Sequence, residues 1–593
     1  MTHYAAFAVI VAACWGVGQA ALSRMAPPAQ RDRWLEWAMA TSLGLGIFVV
    51  AMQGLGLAGV LRPAPVLALV ALGVIAAALQ FRGWRRRDFA ASPTVTTIDR
   101  YALAGLALAA FPTLSAPLAP PVTFDEIMYH LPYARQVAES GRLGVYEWLR
   151  YPWFPYNYDL LFAAVLQVYD DVFTHLVHAL AGWLSVLVIY RLGLMYVNRL
   201  VACMGAAIWL FMGQYESAYI DMAVSLFVLA AFVALWWWRD AASPDKAPTD
   251  RGVRWLALSA FLLGLAAGSK YQALTFLPLV GLIVLPRERR PQVWLLAVAC
   301  FLLPCIYWYV RNAVMTGDPF NPLGAHIFGF TNWNEADYQH QLVDVQENHS
   351  NPPNGVLWAV LLAPFGVAAK RSPAVRGGLL FCGWSLLVWG VTSRYPRYLT
   401  PSLPLIALMA AVGWHQLGLW IGHAWRARRA ARAGPAAAAA SARTWTQVIG
   451  ALALLPLAAA CVYHSARNVR EISPTPESRE AFFLRRVPGY EVLHYLREHP
   501  VEGKTYQVML NDSLYFAPDR VYGDVFGPWR YADYIMLPAD ELARKLHAQD
   551  FGSIVIQTAL APYIHTKPEF DRHFRLILEK DGVRAYRILP IEP

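Results

Sequence analysis

Thr123-Phe-Asp-Glu-Ile-Met-Tyr-His130 begins directly beyond an apolar run at 101–119. The stretch places two adjacent carboxylates, Asp125 and Glu126, where the chain leaves hydrocarbon for water. A charge at such a boundary is costly unless it is solvated or used, so these acids are candidates for a functional site. They open the segment 120–157, which is rich in Arg, Tyr, Trp and Pro.

The composition of the chain indicates that this boundary is a membrane surface. Hydrophobic residues make up 57% of the 593 residues and charged residues only 15%, whereas soluble proteins carry about 25% charged residues. Apolar runs reach about 20 residues, the length that crosses about 30 Å of hydrocarbon. The sequence therefore predicts a polytopic α-helical membrane protein of about 14 transmembrane helices. The predicted spans are 3–22, 40–60, 64–81, 101–119, 172–196, 199–215, 217–238, 253–269, 272–286, 291–311, 354–369, 375–393, 397–421 and 444–465.

The distribution of basic residues predicts the orientation of these spans. The net charge of +10 is concentrated in Arg residues of short loops, which is typical of cytoplasmic loops and argues against a nucleic-acid partner. With fourteen spans, every strongly basic loop falls on one side of the membrane. The opposite side then holds the loops 120–157 and 312–353 and the region 466–593. All six cysteines fall in apolar runs, and none has the spacing of a disulfide framework or a metal site.

The C-terminal region, residues 466–593, is expected to form a small soluble α/β domain. Apolar, β-branched runs predict strands at 505–510 and 553–557, and residues 539–549 have helical periodicity after Pro538. Residues 574–579 and 583–588 form a predicted hairpin. In the loop 312–353, Asn321-Pro322, Asn332-Trp333-Asn334 and Asn351-Pro352-Pro353 indicate turns and no continuous helix.

Each candidate acid has a structural interpretation beside the functional one. Thr123-x-x-Glu126 fits a capping box at the start of a helix that runs to Ser140 and ends at Gly141. Alternatively, Asp125 is a general base that accepts a proton from an acceptor hydroxyl. Asp221 and Glu216 lie at the outer end of another span. Asp221 could orient an acceptor, hold a metal with Asp125, or cap its helix.

Basic residues at the same outer boundary oppose the usual bias of positive charge toward the cytoplasm. Each of them could anchor the chain to lipid headgroups, or bind a phosphate as a fixed positive charge. These residues are Lys270, Arg311, Arg394 and Arg397. His130 and His175 have no partner at metal-ligand spacing and are interpreted as structural.

Five short stretches resemble the GT-C superfamily of integral-membrane glycosyltransferases, which includes protein O-mannosyltransferases and the aminoarabinose transferases of lipid A. The stretches are Phe124-Asp125-Glu126-Ile-Met-Tyr129, Tyr219-Ile-Asp221, Gly268-Ser269-Lys270-Tyr271, Arg311-Asn312-x4-Gly317-Asp318-Pro319 and Arg397-Tyr398-Leu-x-Pro401-x2-Pro404. The resemblance covers residues 101–593. It divides the chain into a three-span N-terminal extension (1–99), a catalytic transmembrane module (100–465) and a periplasmic domain (466–593).

The resemblance implies an inverting glycosyltransferase of the bacterial inner membrane, with its C-terminal domain in the periplasm. Its partners would be a polyprenyl-phosphate-linked sugar as donor, a glycan, lipid or protein as acceptor, and the lipid bilayer. Catalytic roles are expected for Asp125, Glu126 and Asp221, and donor-phosphate binding for Lys270, Arg311, Arg394 and Arg397. Substrate contacts are expected from Tyr129, Glu216, Tyr271 and Tyr398. Some members of the superfamily use a divalent cation, and no motif here fixes one.

Two other functions fit a chain of this composition. A transporter or flippase of lipid-linked sugars or small molecules would show internal repeats and charges near the middle of the bilayer. The charges here lie at the outer boundary, and the two halves of the chain show no repeat. An inert scaffold that displays the C-terminal domain would leave the acids and cations at the same boundary unexplained.

Overall fold

A computed structural model describes residues 2–25, 31–89, 93–241, 250–349, 354–433 and 435–590. Parts of the basic loops (26–30, 90–92 and 242–249) and the predicted Asn351-Pro352-Pro353 turn lie outside the described residues. The helices of the membrane region are α1 (Thr2–Leu22), α2 (Arg33–Leu57), α3 (Pro63–Arg85), α4 (Thr97–Ser115), α5 (Leu131–Ser140), α6 (Asp159–Val168), α7 (Val172–Tyr196), α8 (Arg199–Met212), α9 (Asp221–Ala241), α10 (Asp250–Ala267), α11 (Leu277–Val284), α12 (Pro291–Thr316), α13 (Ala325–Phe328), α14 (Glu335–Glu347), α15 (Val367–Arg371), α16 (Pro373–Val391), α17 (Leu403–Ala433) and α18 (Pro435–Glu471).

The structure confirms a polytopic α-helical membrane protein. Ten of the described helices are long and apolar enough to cross a membrane. The remaining four predicted spans coincide with shorter apolar helices, so the predicted number of 14 spans is not confirmed. These helices are Arg199–Met212, Gly252–Ala267, Tyr271–Val284 and Gly355–Phe365.

The three N-terminal helices are packed into the rest of the bundle. A Cβ atom on Gly18 of α1 would lie 1.7 Å from the carbonyl oxygen of Ala40 in α2, so the two backbones touch, as small residues allow between membrane helices. The α2 helix also packs against α6, α7, α9, α10 and α12. Arg191 of α7 forms a buried ion pair with Asp32 at the start of α2. Residues 1–99 therefore support α7, α9 and α10, the helices beside the boundary charges of the sequence.

The α9 helix lies at the centre of the bundle and begins at Asp221. Almost every residue of its apolar stretch is buried, and it packs against α7, α10 and α17. The Ser225 hydroxyl donates hydrogen bonds to the carbonyl oxygens of Asp221 (2.7 Å) and Thr400 (2.8 Å). Thr400 belongs to the 3₁₀ helix Pro396–Ser402, which leads into α17. This contact fixes the first turn of α9 beside the segment that carries Arg397.

The C-terminal region is an α/β domain, as predicted, and its sheet has five strands, of which the short strand at 521–522 was not predicted. Its strands are β1 (Lys504–Val508), β2 (Val521–Tyr522), β3 (Phe551–Gln557), β4 (Phe574–Lys580) and β5 (Val583–Ile588), in the order β2-β1-β3-β5-β4. Strands β2, β1 and β3 are parallel, whereas β4 and β5 form the predicted antiparallel hairpin. Its helices are α19 (Pro476–Arg486), α20 (Tyr490–Glu498), α21 (Ala539–His547) and α22 (Phe570–His573).

Two details of the sequence analysis are corrected. The loop 312–353 contains a helix, α14, because Asn334 and Asp337 form a capping box where the Asn pattern predicted only a turn. The last membrane helix, α18, continues to Glu471 beyond the predicted end at 465. The predicted helix after Thr123 is present, with a π-helical turn at Glu126–His130 followed by α5, and Gly141 ends it with φ +73°.

Arginine side chains join the C-terminal domain to the membrane module. Arg150 binds both carboxylate oxygens of Asp524 at 2.6–3.1 Å, and both side chains are almost fully buried. Arg530 reaches Asn334 (2.9 Å) and Asp337 (3.2 Å) at the start of α14. The domain is thus held against the loop 120–157 and against α14 by charge-assisted hydrogen bonds.

We expect Arg150→Ala to destabilise the protein by about 3 kcal/mol, because it leaves the Asp524 carboxylate buried without its partner. Thermal unfolding of the purified protein in detergent would measure the loss, and limited proteolysis should cut the C-terminal domain faster. Arg544→Ala is the matched control, since the Arg544–Asp540 pair is exposed and exposed pairs contribute about 0–1 kcal/mol. Equal stabilities of the two variants would contradict this account of the interface.

Candidate active site

Four charged side chains from distant parts of the sequence meet at one end of the bundle. Each lies where a helical element begins or ends. Asp125 directly precedes the π-helical turn, and Asp221 is the first residue of α9. Lys270 lies between α10 and the 3₁₀ helix Tyr271–Phe276, and Arg397 is in the first turn of the 3₁₀ helix before α17. Carboxylates at helix N-termini are favoured by the helix dipole, so the fold supports both acids at these positions.

Arg397 is the centre of this cluster. Its Nη1 atom contacts Oδ2 of Asp125, while Nε and Nη2 lie 3.1 and 2.9 Å from Oδ2 of Asp221. The guanidinium also lies over the ring of Tyr219, 4.7 Å from its centroid. A planar guanidinium can serve two carboxylates at once, which a lysine ammonium on a flexible stem does less well. Arg397 therefore fixes the distance between the two acids.

Asp125 remains accessible at the edge of the cluster. Its side chain is 15% exposed, and its Oδ2 atom also accepts a hydrogen bond from the Tyr129 hydroxyl at 3.0 Å. Burial alone would raise the pKa of Asp125, but the Arg397 guanidinium and the Tyr129 hydroxyl outweigh it and hold this pKa below its usual range. Asp125 is thus an ionised carboxylate that is partly exposed.

Lys270 completes the cluster from the opposite side of Asp221. Its Nζ atom donates to Oδ1 of Asp221 at 2.6 Å and lies 5.8 Å from the ring centroid of Tyr398. Burial lowers the pKa of the Lys270 ammonium, although Asp221 opposes this effect. An anion that bound here would therefore stabilise the charged form of Lys270.

The position of Lys270 depends on a close contact at Gly268. A Cβ atom on Gly268 would lie 2.1 Å from Nδ2 of Asn157, so only glycine admits this approach. Asn157 donates to the carbonyl oxygen of Pro304 at 2.8 Å and accepts from the Trp308 indole at 2.7 Å. The turn that presents Lys270 is therefore fixed from beneath by α12.

An apolar cavity of about 360 Å³ opens beside Lys270. We call it the Lys270 cavity. Aromatic and aliphatic side chains form most of its wall, with Lys270 and Arg397 as its charged lining. The lining includes Tyr129, Phe154, Tyr271, Phe276, Leu323, Trp384, Val388, Trp389, Tyr398 and Leu399. A cavity of this kind suits an apolar chain that ends in an anionic group.

A second cavity, of about 290 Å³, lies on the other side of the Asp221–Arg397 pair. We call it the His178 cavity. Its lining is more polar, and Arg397 belongs to the walls of both cavities. The lining residues are His178, Met212, Gly213, Gln214, Asp221, Met222, Asn354, Pro396, Arg397, Thr400 and Leu403. The charged cluster thus forms a partition between an apolar cavity and a polar one.

A third cavity, of about 380 Å³, lies toward the other end of α9. Arg239, Arg287 and Arg376 line it together with apolar side chains, and the described part of its lining contains no carboxylate. Paired acids and cations are found at the Asp221 end of α9, so we place the candidate site at that end.

Glu126 lines neither cavity in the part of the chain that the structure describes. Its carboxylate is fully buried and contacts His175. It also accepts hydrogen bonds from the backbone N–H groups of Val122, Thr123 and Ala218 at 2.7–3.0 Å. These contacts agree with the capping interpretation of Glu126 and with a structural His175, so we leave Glu126 out of the proposed chemistry.

The other predicted residues divide into three groups. Tyr129, Tyr271 and Tyr398 line the Lys270 cavity. Arg311 is buried, binds Asn312 Oδ1 at 2.8 and 3.0 Å, and lies over the rings of Trp153 and Trp308, so it holds the loop 153–157. Arg394 and Glu216 are exposed and lie outside the lining of both cavities within the described chain.

The sequence analysis missed His178. This residue is polar and lies in the apolar span α7, one turn beyond His175, and polar side chains inside membrane spans are functional candidates by default. That signal was available from the sequence.

The residues that the structure describes contain no group of three or more His, Cys, Asp and Glu side chains that could hold a metal ion.

Sequence comparisons match parts of the chain. A family model described as SF2091/S2213 matches residues 478–587, within the C-terminal domain. The chain is 29% identical over 141 residues to "Uncharacterized protein SF2092/S2214" of Shigella flexneri, a match that covers 22% of this chain and 76% of that protein. It is 47% identical over 58 residues to "Uncharacterized protein SF2093/S2215" of the same organism, covering 10% of this chain and 29% of that protein.

Structure comparisons find solved proteins that are similar over most of the chain. The chain is similar to ArnT of Cupriavidus metallidurans bound to undecaprenyl phosphate, with 16% identity and a TM-score of 0.45, over 83% of this chain and 98% of that chain. It is also similar to the oligosaccharyltransferase AglB of Archaeoglobus fulgidus in complex with an inhibitory peptide and a dolichol-phosphate, with 12% identity and a TM-score of 0.46, over 83% and 74% of the two chains. These similarities concern the fold, and we base the function on the geometry of the site.

Proposed function

We propose that this protein is an inverting glycosyltransferase of the bacterial inner membrane. It moves a sugar from a polyprenyl-phosphate carrier to an acceptor hydroxyl on the periplasmic face. The observation that carries the proposal is the Asp125–Arg397–Asp221–Lys270 cluster, whose two cations line the apolar Lys270 cavity. The cluster combines an accessible carboxylate with two fixed cations at the edge of a space suited to a lipid chain.

The donor fits the Lys270 cavity in this proposal. The isoprenoid chain would contact the aromatic and aliphatic walls, and its phosphate would lie between Lys270 and Arg397. Both cations are now paired with Asp221, so a phosphate would compete with that carboxylate for them. Fixed cations that face the position of developing charge are a large source of catalysis, since they need no reorganisation during the reaction.

Asp125 would act as the general base. The acceptor hydroxyl gives its proton to the Asp125 carboxylate while its oxygen forms a bond to C1 of the sugar. The bond between C1 and the phosphate oxygen breaks, and its electron pair leaves with the polyprenyl phosphate, where Lys270 and Arg397 stabilise the charge. A single displacement from the face opposite the leaving group inverts the configuration at C1.

Arg397 would couple donor binding to the basicity of Asp125. In the unliganded cluster the guanidinium lowers the pKa of Asp125 and makes it a weaker base. A donor phosphate on Arg397 would neutralise part of this positive charge, so the pKa of Asp125 would rise toward its ordinary value. The base would thus become stronger when the leaving group is in place, which favours transfer over loss of the sugar to water.

Lys270→Ala should weaken the binding of polyprenyl phosphate about 10- to 100-fold, because a charge-assisted contact contributes about 1.5–3 kcal/mol. Binding of undecaprenyl phosphate to the purified variant would be measured by titration in detergent. High donor concentration should restore part of the transfer rate. Arg394→Ala is the matched control, since this cation is exposed outside the cavity. Unchanged binding in Lys270→Ala would remove the donor-phosphate role of Lys270.

The function as a whole is tested by the products in the cell. Mass spectrometry of glycolipids, surface glycans and envelope proteins should show a sugar that disappears when the gene is deleted and returns with the wild-type copy. A flippase would also alter surface glycans, so purified protein must then transfer the identified sugar from its polyprenyl-phosphate donor in detergent. Transport of the donor across vesicles without transfer would overturn the glycosyltransferase proposal.

A further inference from the structure

The His178 cavity contains a buried side chain whose hydrogen-bonding groups have no partner. His178 is 1% exposed, and neither Nδ1 nor Nε2 makes a hydrogen bond within the described structure. Buried polar groups in folded proteins are nearly always paired, and an unpaired one requires an explanation. His178 lines a cavity, so a ligand in this cavity can supply the missing partners.

We propose that the His178 cavity binds the sugar ring of a saccharide acceptor, with His178 as a specificity-determining residue. This inference rests on the proposed glycosyltransferase function and names its acceptor class. The acceptor is a glycan or glycolipid, and the hydroxyls of its terminal sugar bond to His178.

The chemistry of the lining supports a sugar ring over a peptide segment. Imidazole nitrogens and the side-chain amides of Gln214 and Asn354 offer both donors and acceptors, which suits hydroxyl groups that donate and accept. Met212 and Met222 add apolar surface that can contact the C–H face of a sugar. The volume of about 290 Å³ is near the lower end of small-molecule sites, about 300 Å³.

The location of the cavity places such an acceptor correctly for the reaction. Asp221 and Arg397 form part of its wall, and Arg397 contacts Asp125 on one side and lines the Lys270 cavity on the other. A sugar in the His178 cavity and a donor in the Lys270 cavity would therefore meet at the charged partition.

His178→Phe tests the proposal, because it keeps an aromatic ring of similar size and removes both hydrogen-bonding nitrogens. We expect the glycan product in cells to fall about 10- to 100-fold, the effect of losing hydrogen bonds to a substrate hydroxyl. Binding of undecaprenyl phosphate to the purified variant should stay within twofold of wild type, which also shows that the protein is folded. His178→Gln, which restores a donor and an acceptor, should recover part of the product.

His415→Phe is the matched control, since His415 is a half-buried histidine of α17 beside Asn198. It should leave the product level unchanged. Wild-type product levels in His178→Phe would overturn the proposal, and so would identification of the acceptor as a protein hydroxyl. In both cases Asp125→Asn would still abolish the product. If neither the gene deletion nor Asp125→Asn alters any glycan, the proposed function itself fails.

Discussion

Asp125→Asn should lower the rate of sugar transfer about 10²–10⁴-fold, the usual contribution of a positioned general base. The asparagine keeps the size of the side chain, and its amide oxygen can still accept hydrogen bonds from Tyr129 and Arg397. It loses the negative charge and almost all basicity. Binding of polyprenyl phosphate should change little, since Lys270 and Arg397 are retained. Transfer by purified protein, normalised to folded protein, is the measurement.

Glu216→Gln is the matched control for this substitution. Glu216 is an exposed acid that forms no ion pair with Arg397 or Lys270 in the described structure, so its neutralisation should leave transfer near the wild-type rate. A folded Asp125→Asn protein with near wild-type turnover would remove the base assignment and make Asp221 the next candidate.

The pKa of Asp125 also predicts the pH profile of transfer. Because the folded protein holds this pKa below its usual range, the carboxylate stays ionised as the pH falls toward the ordinary aspartate value of about 4. The acid limb of kcat/KM, which reports the free enzyme, should therefore begin below about pH 4. The acid limb of kcat, which reports the donor complex, should begin at a higher pH, because the donor phosphate neutralises Arg397. Acid limbs at the same pH for kcat/KM and kcat would contradict the coupling through Arg397.

Local patterns in the sequence were enough to find the acids and the ends of several helices. Asp125 and Asp221 were identifiable because each follows or opens an apolar run, and a charge at such a boundary stands out. The capping pattern at Thr123 and Glu126 and the stop at Gly141 also agree with the structure. Each of these patterns spans only a few residues, so it can be recognised without knowledge of tertiary contacts.

The pairing of the charges could not be predicted in the same way. Arg311, Arg394 and Arg397 all lie at the ends of apolar runs, and nothing local separates their roles. Only the fold brings Arg397 to Asp125, which is 272 residues away in the sequence, and places Arg311 between two tryptophans. The two cavities are likewise a product of packing, because their linings come from several separate helices.

Arg397→Gln should have the broadest effect of any single substitution in the cluster. It removes the charge that pairs with Asp125 and leaves Asp221 with Lys270 alone. Loss of one partner from a largely buried ion pair costs about 3 kcal/mol, so the thermal midpoint in detergent should fall. Transfer should fall at least as far as in Asp125→Asn, since both the leaving-group contact and the orientation of the base are lost. Arg394→Gln, an exposed arginine in the same turn, should change neither property.

The double variant Asp125→Asn/Arg397→Gln separates the two roles of Arg397. In Arg397→Gln the instability comes mainly from an Asp125 carboxylate that has lost its cation. Neutralising Asp125 should therefore restore about 1–3 kcal/mol of the lost free energy of unfolding. This is the range of coupling energies between residues in contact. Transfer should stay absent, because the base and the phosphate-binding cation are both missing. If the stability losses of the two single variants add in the double variant, Arg397 does not stabilise the fold through Asp125. If the double variant recovers sugar transfer, neither residue belongs to the mechanism.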